Sequence, residues 1–192
     1  MIIDGRLADA LWHPSPNFNA RPEGCEPNLI VIHNISLPPR QFGTPYVTDF
    51  FLNKLDPNAH EYFASIAHLQ VSSHVLIDRT GTVHQYVRFD DRAWHAGASR
   101  YRGQENCNDF AIGIELEGCD DVPYRDAQYQ QLVNVIRQLQ TTYPAIGNRI
   151  TGHEHIAPQR KTDPGAAFDW RLLEHHLQQT LAIDAEHLGD LS

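Results

Sequence analysis

Four consecutive apolar residues, Leu29-Ile30-Val31-Ile32, three of them β-branched, place the tightest constraint on the fold. Such a run is the pattern of a central strand buried on both faces. It leads directly into His33-Asn34, so a histidine stands where a buried strand would run out into a cleft. Pro38-Pro39 then forces a loop.

The remaining pattern supplies partners for that strand. Ala111 to Glu117 alternates, with Ile112, Ile114 and Leu116 on one side and Ala111, Gly113, Glu115 and Glu117 on the other, which predicts a strand. Ser73 to Ile77 and Val83 to Val87 read as a hairpin around Asp78-Arg79-Thr80-Gly81. Tyr129, Leu132, Val133, Ile136 and Leu139 recur at helical spacing, so Asp126 to Gln140 is the strongest helix, ending before Pro144. A last helix is predicted from about Trp170 to Leu181, with Leu172, Leu173, His176, Leu177 and Leu181 as its buried stripe. Thr48 to Leu55 and Phe63 to Ala67 allow short helical turns, separated by the turn Asp56-Pro57-Asn58. Residues 8–28, with Pro14, Pro16, Pro22 and Pro27, read as irregular arm. Strands interleaved with helices predict an α/β domain with a central mixed sheet flanked by helices. One domain over 1–182 is expected, with 1–28 as an N-terminal arm and 183–192 as a flexible tail.

Composition removes several function classes. The 192 residues carry 15 basic and 24 acidic side chains, a formal net charge of −9 with no Lys/Arg cluster, which argues against nucleic acid and anionic membranes. No run of about 18 apolar residues occurs, so no spanning helix is expected. Cys25, Cys107 and Cys119 form an odd set without C-x-x-C spacing, read as reduced thiols rather than a disulfide framework or a cysteine zinc site. The opening Met1-Ile2-Ile3-Asp4-Gly5-Arg6 has no basic stretch before a long apolar run, so no signal peptide is expected and the cytoplasm is the expected compartment. A monomer is expected.

The chemistry concentrates in Thr151-Gly152-His153-Glu154-His155-Ile156-Ala157-Pro158-Gln159-Arg160-Lys161-Thr162-Asp163-Pro164-Gly165. A catalytic zinc takes three His or carboxylate ligands and keeps one position for water. This segment can supply two, and His33 a third. The prolines and the Asp163-Pro164-Gly165 turn can hold His153 and Asp163 together with little entropy to lose. His155 competes with His153, because residues two apart on an extended segment share a face, and Glu154 could also ligate. Twelve histidines make any single one unspecific. Lys161, two residues before Asp163, can stabilise an oxyanion. Glu115 is the best general base, being costly to bury at a strand centre unless it is used or partnered. Trp94-His95-Ala96-Gly97 offers an aromatic wall beside a polar edge, suited to a sugar ring or an amide backbone.

Taken together, the His33–Pro39 stretch, Trp94–Gly97, Asn108-Asp109-Phe110-Ala111-Ile112-Gly113-Ile114-Glu115-Leu116-Glu117-Gly118 and the Thr151–Gly165 segment resemble the zinc-dependent N-acetylmuramoyl-L-alanine amidases. The likeness runs from the opening residues to about Leu173. It is nearest to the cytoplasmic branch that acts on 1,6-anhydro-N-acetylmuramyl peptides in cell-wall recycling, since Asn34 followed by Ile-Ser-Leu-Pro-Pro is typical there. The resemblance implies the fold shared with peptidoglycan recognition proteins, hydrolysis of the bond between the lactyl group and L-Ala, and a muropeptide substrate. It implies zinc on His33, His153 and Asp163, choosing His153 over His155. It also implies Glu115 as base, Lys161 at the oxyanion, and Asn34, Trp94 and His95 toward the substrate. Gln70 and Asn106 depart from arginines of the enteric members, which bears on affinity for the acidic stem peptide. Rival readings are an amidase of intact peptidoglycan, which needs an export route, a non-catalytic peptidoglycan-binding module, which tends to lose a metal ligand, and a purely structural metal site.

Overall fold

The computed structural model describes residues 1–178. Six strands make the central sheet: β1 (Leu11–Trp12), β2 (Leu29–Ile35), β3 (Val75–Ile77), β4 (Val83–Gln85), β5 (Ala111–Glu117) and β6 (Ile150–Gly152), in the order β6-β2-β5-β3-β4-β1. β6, β2, β5 and β3 run parallel, and β4 returns antiparallel to β3. The mixed α/β sheet expected from the pattern is therefore present.

Helix α1 (Tyr46–Phe51) and helix α2 (Asp126–Thr142) lie on opposite sides. On the α2 side, Ile30, Ile32, Ile112, Ile114 and Leu116 pack against Leu132, Ile136 and Leu139 in one core. On the other side, Leu29, Val31 and Ala111 meet Ala96, Phe110 and Ile156, while Phe50 and Phe51 of α1 meet Leu76 and Tyr86. The four-residue apolar run is fully buried because both of its faces are covered. Gln128 ties the start of α2 to the sheet: its side-chain amide donates to the carbonyls of Ile77 and Glu117, 3.2 and 3.1 Å away.

Two local details differ from the sequence reading. The arm is not wholly irregular: Leu11–Trp12 joins the sheet edge beside β4, Ile2–Ile3 pairs with Arg6–Leu7, and Phe18–Ala20 pairs with Asp91–Ala93. Strands of two or three residues are too short to show alternation. The expected hairpin forms, but β3 and β4 are shorter than read, and the turn closes from Asp78 N–H to the Thr82 carbonyl. The 3₁₀ turn at Phe63–Ser65 and α1 fall near their expected places. A last helix, α4, covers 170–178 and buries Leu173 in the main core. Its expected end at Leu181 and the expected tail at 183–192 lie outside the described residues.

Candidate metal centre

Parallel pairing delivers the site. Glu115 of β5 is opposite His33 of β2, and Gly152 of β6 is opposite Ile32. His153 thus follows one step beyond the end of β6, beside His33. Three neighbouring parallel strands end at one place, the position where open α/β sheets bind ligands. Because side chains alternate along β2, burying Ile30 and Ile32 under α2 turns His33 to the opposite face with Leu29 and Val31.

His153 begins a single helical turn, α3 (His153–Ile156), capped by the extended Gly152. This corrects the premise of an extended segment. Two residues apart on a helix lie about 200° apart around the axis, so His155 faces away from His153 and sits beside Trp170, with rings 6.2 Å apart. The geometry therefore excludes His155 from the cluster without reference to any relative.

The Nδ1 of His33, the Nδ1 of His153 and the Oδ2 of Asp163 form a nearly equilateral triangle with edges of 3.0, 3.1 and 3.1 Å. Among the described residues, these three form the one group able to hold a metal ion. A neutral imidazole has one N–H, so three lone-pair atoms converging this closely suit a shared cation better than mutual hydrogen bonds. Tetrahedral ligands at zinc distances lie about 3.3 Å apart, close to these edges. The protonation states agree. Burial, only partly opposed by Asp163, lowers the pKa of His33 to about 4, leaving a neutral ligand. Burial alone would raise Asp163, but the contacts of His153 and His33 outweigh it and hold the carboxyl far below its usual range. Neutral histidines and an ionised carboxylate are what a metal requires.

The Asp163 loop is fastened from behind. Asn34 donates to Oδ1 of Asp120 and to the Pro164 carbonyl, at 2.8 and 3.1 Å, and the Tyr124 hydroxyl donates to the same carbonyl at 2.8 Å. At Gly165, φ is +81° and a Cβ would lie 2.2 Å from the Asp120 Cα, so only glycine fits. Sequence reading missed Asp120 and Tyr124. Their link to Asp163 spans about forty residues and leaves no local motif.

Glu115 is 7% exposed, and its Oε2 has no hydrogen-bond partner among the described residues. Burial first, then the Asp163 charge, pushes its pKa well above the usual carboxylate range, with Lys161 opposing. Lys161 is exposed at the mouth of the same cleft. The cleft encloses about 380 Å³, and His33, Asn34, Trp94, His95, Glu115, His153, Lys161 and Asp163 all line it. Its far wall is apolar, with Leu37, Phe50, Ile66, Leu69 and Trp94. Asn106 lies elsewhere, in a neighbouring hollow with Arg160, and Gln70 is on the exposed surface. A triad of metal ligands, an unpartnered carboxyl and a cation beside an apolar trough can hydrolyse a polarised carbonyl.

Known proteins resemble this chain in sequence and fold. The profile of the N-acetylmuramoyl-L-alanine amidase family matches residues 23–166. The 1,6-anhydro-N-acetylmuramyl-L-alanine amidase AmpD of Citrobacter freundii is 60% identical over 171 residues, 88% of this chain and 91% of that protein. The crystal structure of a selenomethionine AmpD derivative superimposes with a TM-score of 0.90 at 57% identity, covering 91% of this chain and 98% of that one. The amidase AmiD from E. coli, solved in complex with the substrate anhydro-N-acetylmuramic acid-L-Ala-D-γ-Glu-L-Lys, matches with a TM-score of 0.57 at 29% identity, over 81% of this chain and 60% of that one.

Proposed function

The chain belongs to the N-acetylmuramoyl-L-alanine amidase family, and from that premise we propose that it hydrolyses the lactyl–L-Ala amide of 1,6-anhydro-N-acetylmuramyl peptides in cell-wall recycling, using zinc on His33, His153 and Asp163. The observation that carries this reading is the triangle of three ligand atoms, 3.0–3.1 Å apart, in one cleft with an unpartnered buried glutamate.

Zinc held there supplies a Lewis acid and an acidified water. The protein residues do the rest. Glu115, desolvated and with no hydrogen-bond partner for Oε2 among the described residues, takes a proton from the attacking water. The water oxygen adds to the lactyl carbonyl carbon, and Lys161 stabilises the charge on the carbonyl oxygen. Glu115 then passes its proton to the nitrogen of L-Ala as the C–N bond breaks, releasing a sugar carboxylate and a free peptide amine. Trp94 and the apolar wall accept the sugar. Asn34 and His95 also line the cleft, but they spend hydrogen bonds on the metal frame. The three free thiols support a reducing compartment, the cytoplasm, as the proposed site of action, and the proposed acting species is a monomer.

The test is to give the zinc-loaded protein anhydro-N-acetylmuramyl-tripeptide and, in parallel, intact peptidoglycan, and to read the products by mass spectrometry. Free tripeptide from the anhydro substrate alone is the expected result. Cleavage mainly of intact wall, or of neither, overturns the substrate assignment.

A further inference from the structure

Two metal histidines must both present Nδ1, so both must carry their proton on Nε2, and each Nε2 needs an acceptor. The acceptors come from adjacent residues. His33 Nε2 lies 2.9 Å from His95 Nδ1, and His153 Nε2 lies 3.1 Å from the Ala96 carbonyl oxygen. A carbonyl can only accept, so Ala96 fixes the His153 tautomer outright.

One buried side chain holds that dipeptide. Oδ1 of Asn108 accepts the backbone N–H of His95 at 3.1 Å and that of Ala96 at 2.8 Å. Asn108 is 6% exposed, and its own carbonyl accepts from Arg21 at 3.2 Å. Arg160 adds a second donor to the Ala96 carbonyl at 2.6 Å. The His95 ring lies in a slot over Gly113, where a Cβ would stand 2.5 Å from its Cγ, with the His74 ring 5.7 Å away on another side. Gly113 is therefore a glycine because the ring occupies the space of its side chain.

We propose that His95–Ala96 is a single support for both metal-ligating histidines, and that Asn108, which touches neither metal nor substrate, is the positioning residue that holds it. This rests on reading His33 and His153 as zinc ligands. One dipeptide sets both imidazoles, through the His95 ring and the Ala96 carbonyl, so releasing it disturbs two of the three ligands together.

The experiment compares full-length wild type, Asn108→Ala, Asn108→Asp and Gly113→Ala. Zinc affinity is read by competition with a chromophoric chelator, the ligand field by the visible spectrum of the cobalt-substituted protein, and kcat and KM separately. In Asn108→Ala, zinc affinity is expected to fall about 10- to 100-fold, the cobalt bands to shift, and kcat to drop while KM holds. Asn108→Asp keeps an acceptor oxygen and is expected to restore most of the affinity. Gly113→Ala, which pushes the His95 ring from its slot, is expected to repeat the loss, and it decides the matter if Asn108→Ala does not fold. Wild-type zinc affinity and cobalt spectrum in folded Asn108→Ala, or in Gly113→Ala, overturn the proposal alone. A wild-type chain that binds no zinc overturns the reading of the site and the proposal with it.

Discussion

The two faces of β5 belong to one seven-residue strand and obey different rules. On the α2 face, Ile112, Ile114 and Leu116 are fully buried among apolar side chains and ask nothing of their neighbours but contact. On the cleft face, Gly113, Glu115 and Glu117 are also buried, yet each needs a particular partner or a particular space. The two glutamates sharpen the contrast. Glu117 has both oxygens engaged, accepting the N–H of Gly43 at 2.5 Å and of Arg79 at 3.1 Å, and so ties two loops to the strand end. Glu115, two residues earlier, leaves Oε2 without a partner among the described residues. A buried carboxyl whose hydrogen bonds are met is structural, and one whose bonds are unmet stands ready for a proton. On this strand the α2 face contributes packing alone, and the reactive carboxyl stands on the other face.

If that division holds, substitutions on the two faces must fail differently. Removing a ligand has the largest effect: Asp163→Ala should lose zinc and turnover together, and retained zinc stoichiometry would rule Asp163 out. Glu115→Gln should keep zinc and lose about 10²- to 10⁴-fold in kcat, without loss of thermal stability, since it removes an unpartnered carboxyl. Wild-type turnover in that variant breaks the general-base role. Ile114→Ala, directly behind Glu115 on the strand, should cost about 2–5 kcal/mol in denaturant unfolding yet leave zinc affinity at the wild-type value. If it weakens zinc as well, the faces are not separable. Lys161→Ala should lower kcat by roughly 10²- to 10³-fold, as for loss of one oxyanion donor, with zinc binding and melting temperature unchanged.

The smallest effect is on pH dependence, read on chelator-treated protein. Burial lowers the pKa of His33 to about 4 and that of His74 well below the ordinary histidine value. As pH falls below about 6.5 the unfolded chain takes up protons at both positions, while the folded chain refuses them, His33 until about 4. Their contribution is therefore complete above 6.5 and lost on acidification, at about 1.4 kcal/mol per pH unit for each histidine. Glu115, raised by burial, works in the opposite sense with one proton. Melting temperature should fall between pH 7 and 5, and a flat or rising profile contradicts the sign.

Much of this division was legible in the residues. Leu29–Ile32 reads as a strand covered on both sides, and the period-two pattern of Ala111–Glu117 separates the two faces. The apolar stripe of α2 is equally plain at helical spacing. His33, His153 and Asp163 were readable as possible ligands, but composition and spacing left His155 open. The choice turns on one helical turn after Gly152, four residues that are too few to show a helical period in the sequence. The supporting frame was not readable at all. Ala96 acts through a backbone carbonyl, which carries no side-chain signal. Asp120, Tyr124 and Asn108 act across long stretches of chain that only parallel pairing and loop return bring together.

Hydrolysis in water enriched in oxygen-18, with anhydro-N-acetylmuramyl-tripeptide and the zinc-loaded protein, tests the assignment of bond and chemistry most directly. Addition of water at the lactyl carbonyl puts the label on the carboxylate of the released sugar and leaves an unlabelled peptide with a free L-Ala amine. Label on the peptide, or sugar and peptide still joined, contradicts it.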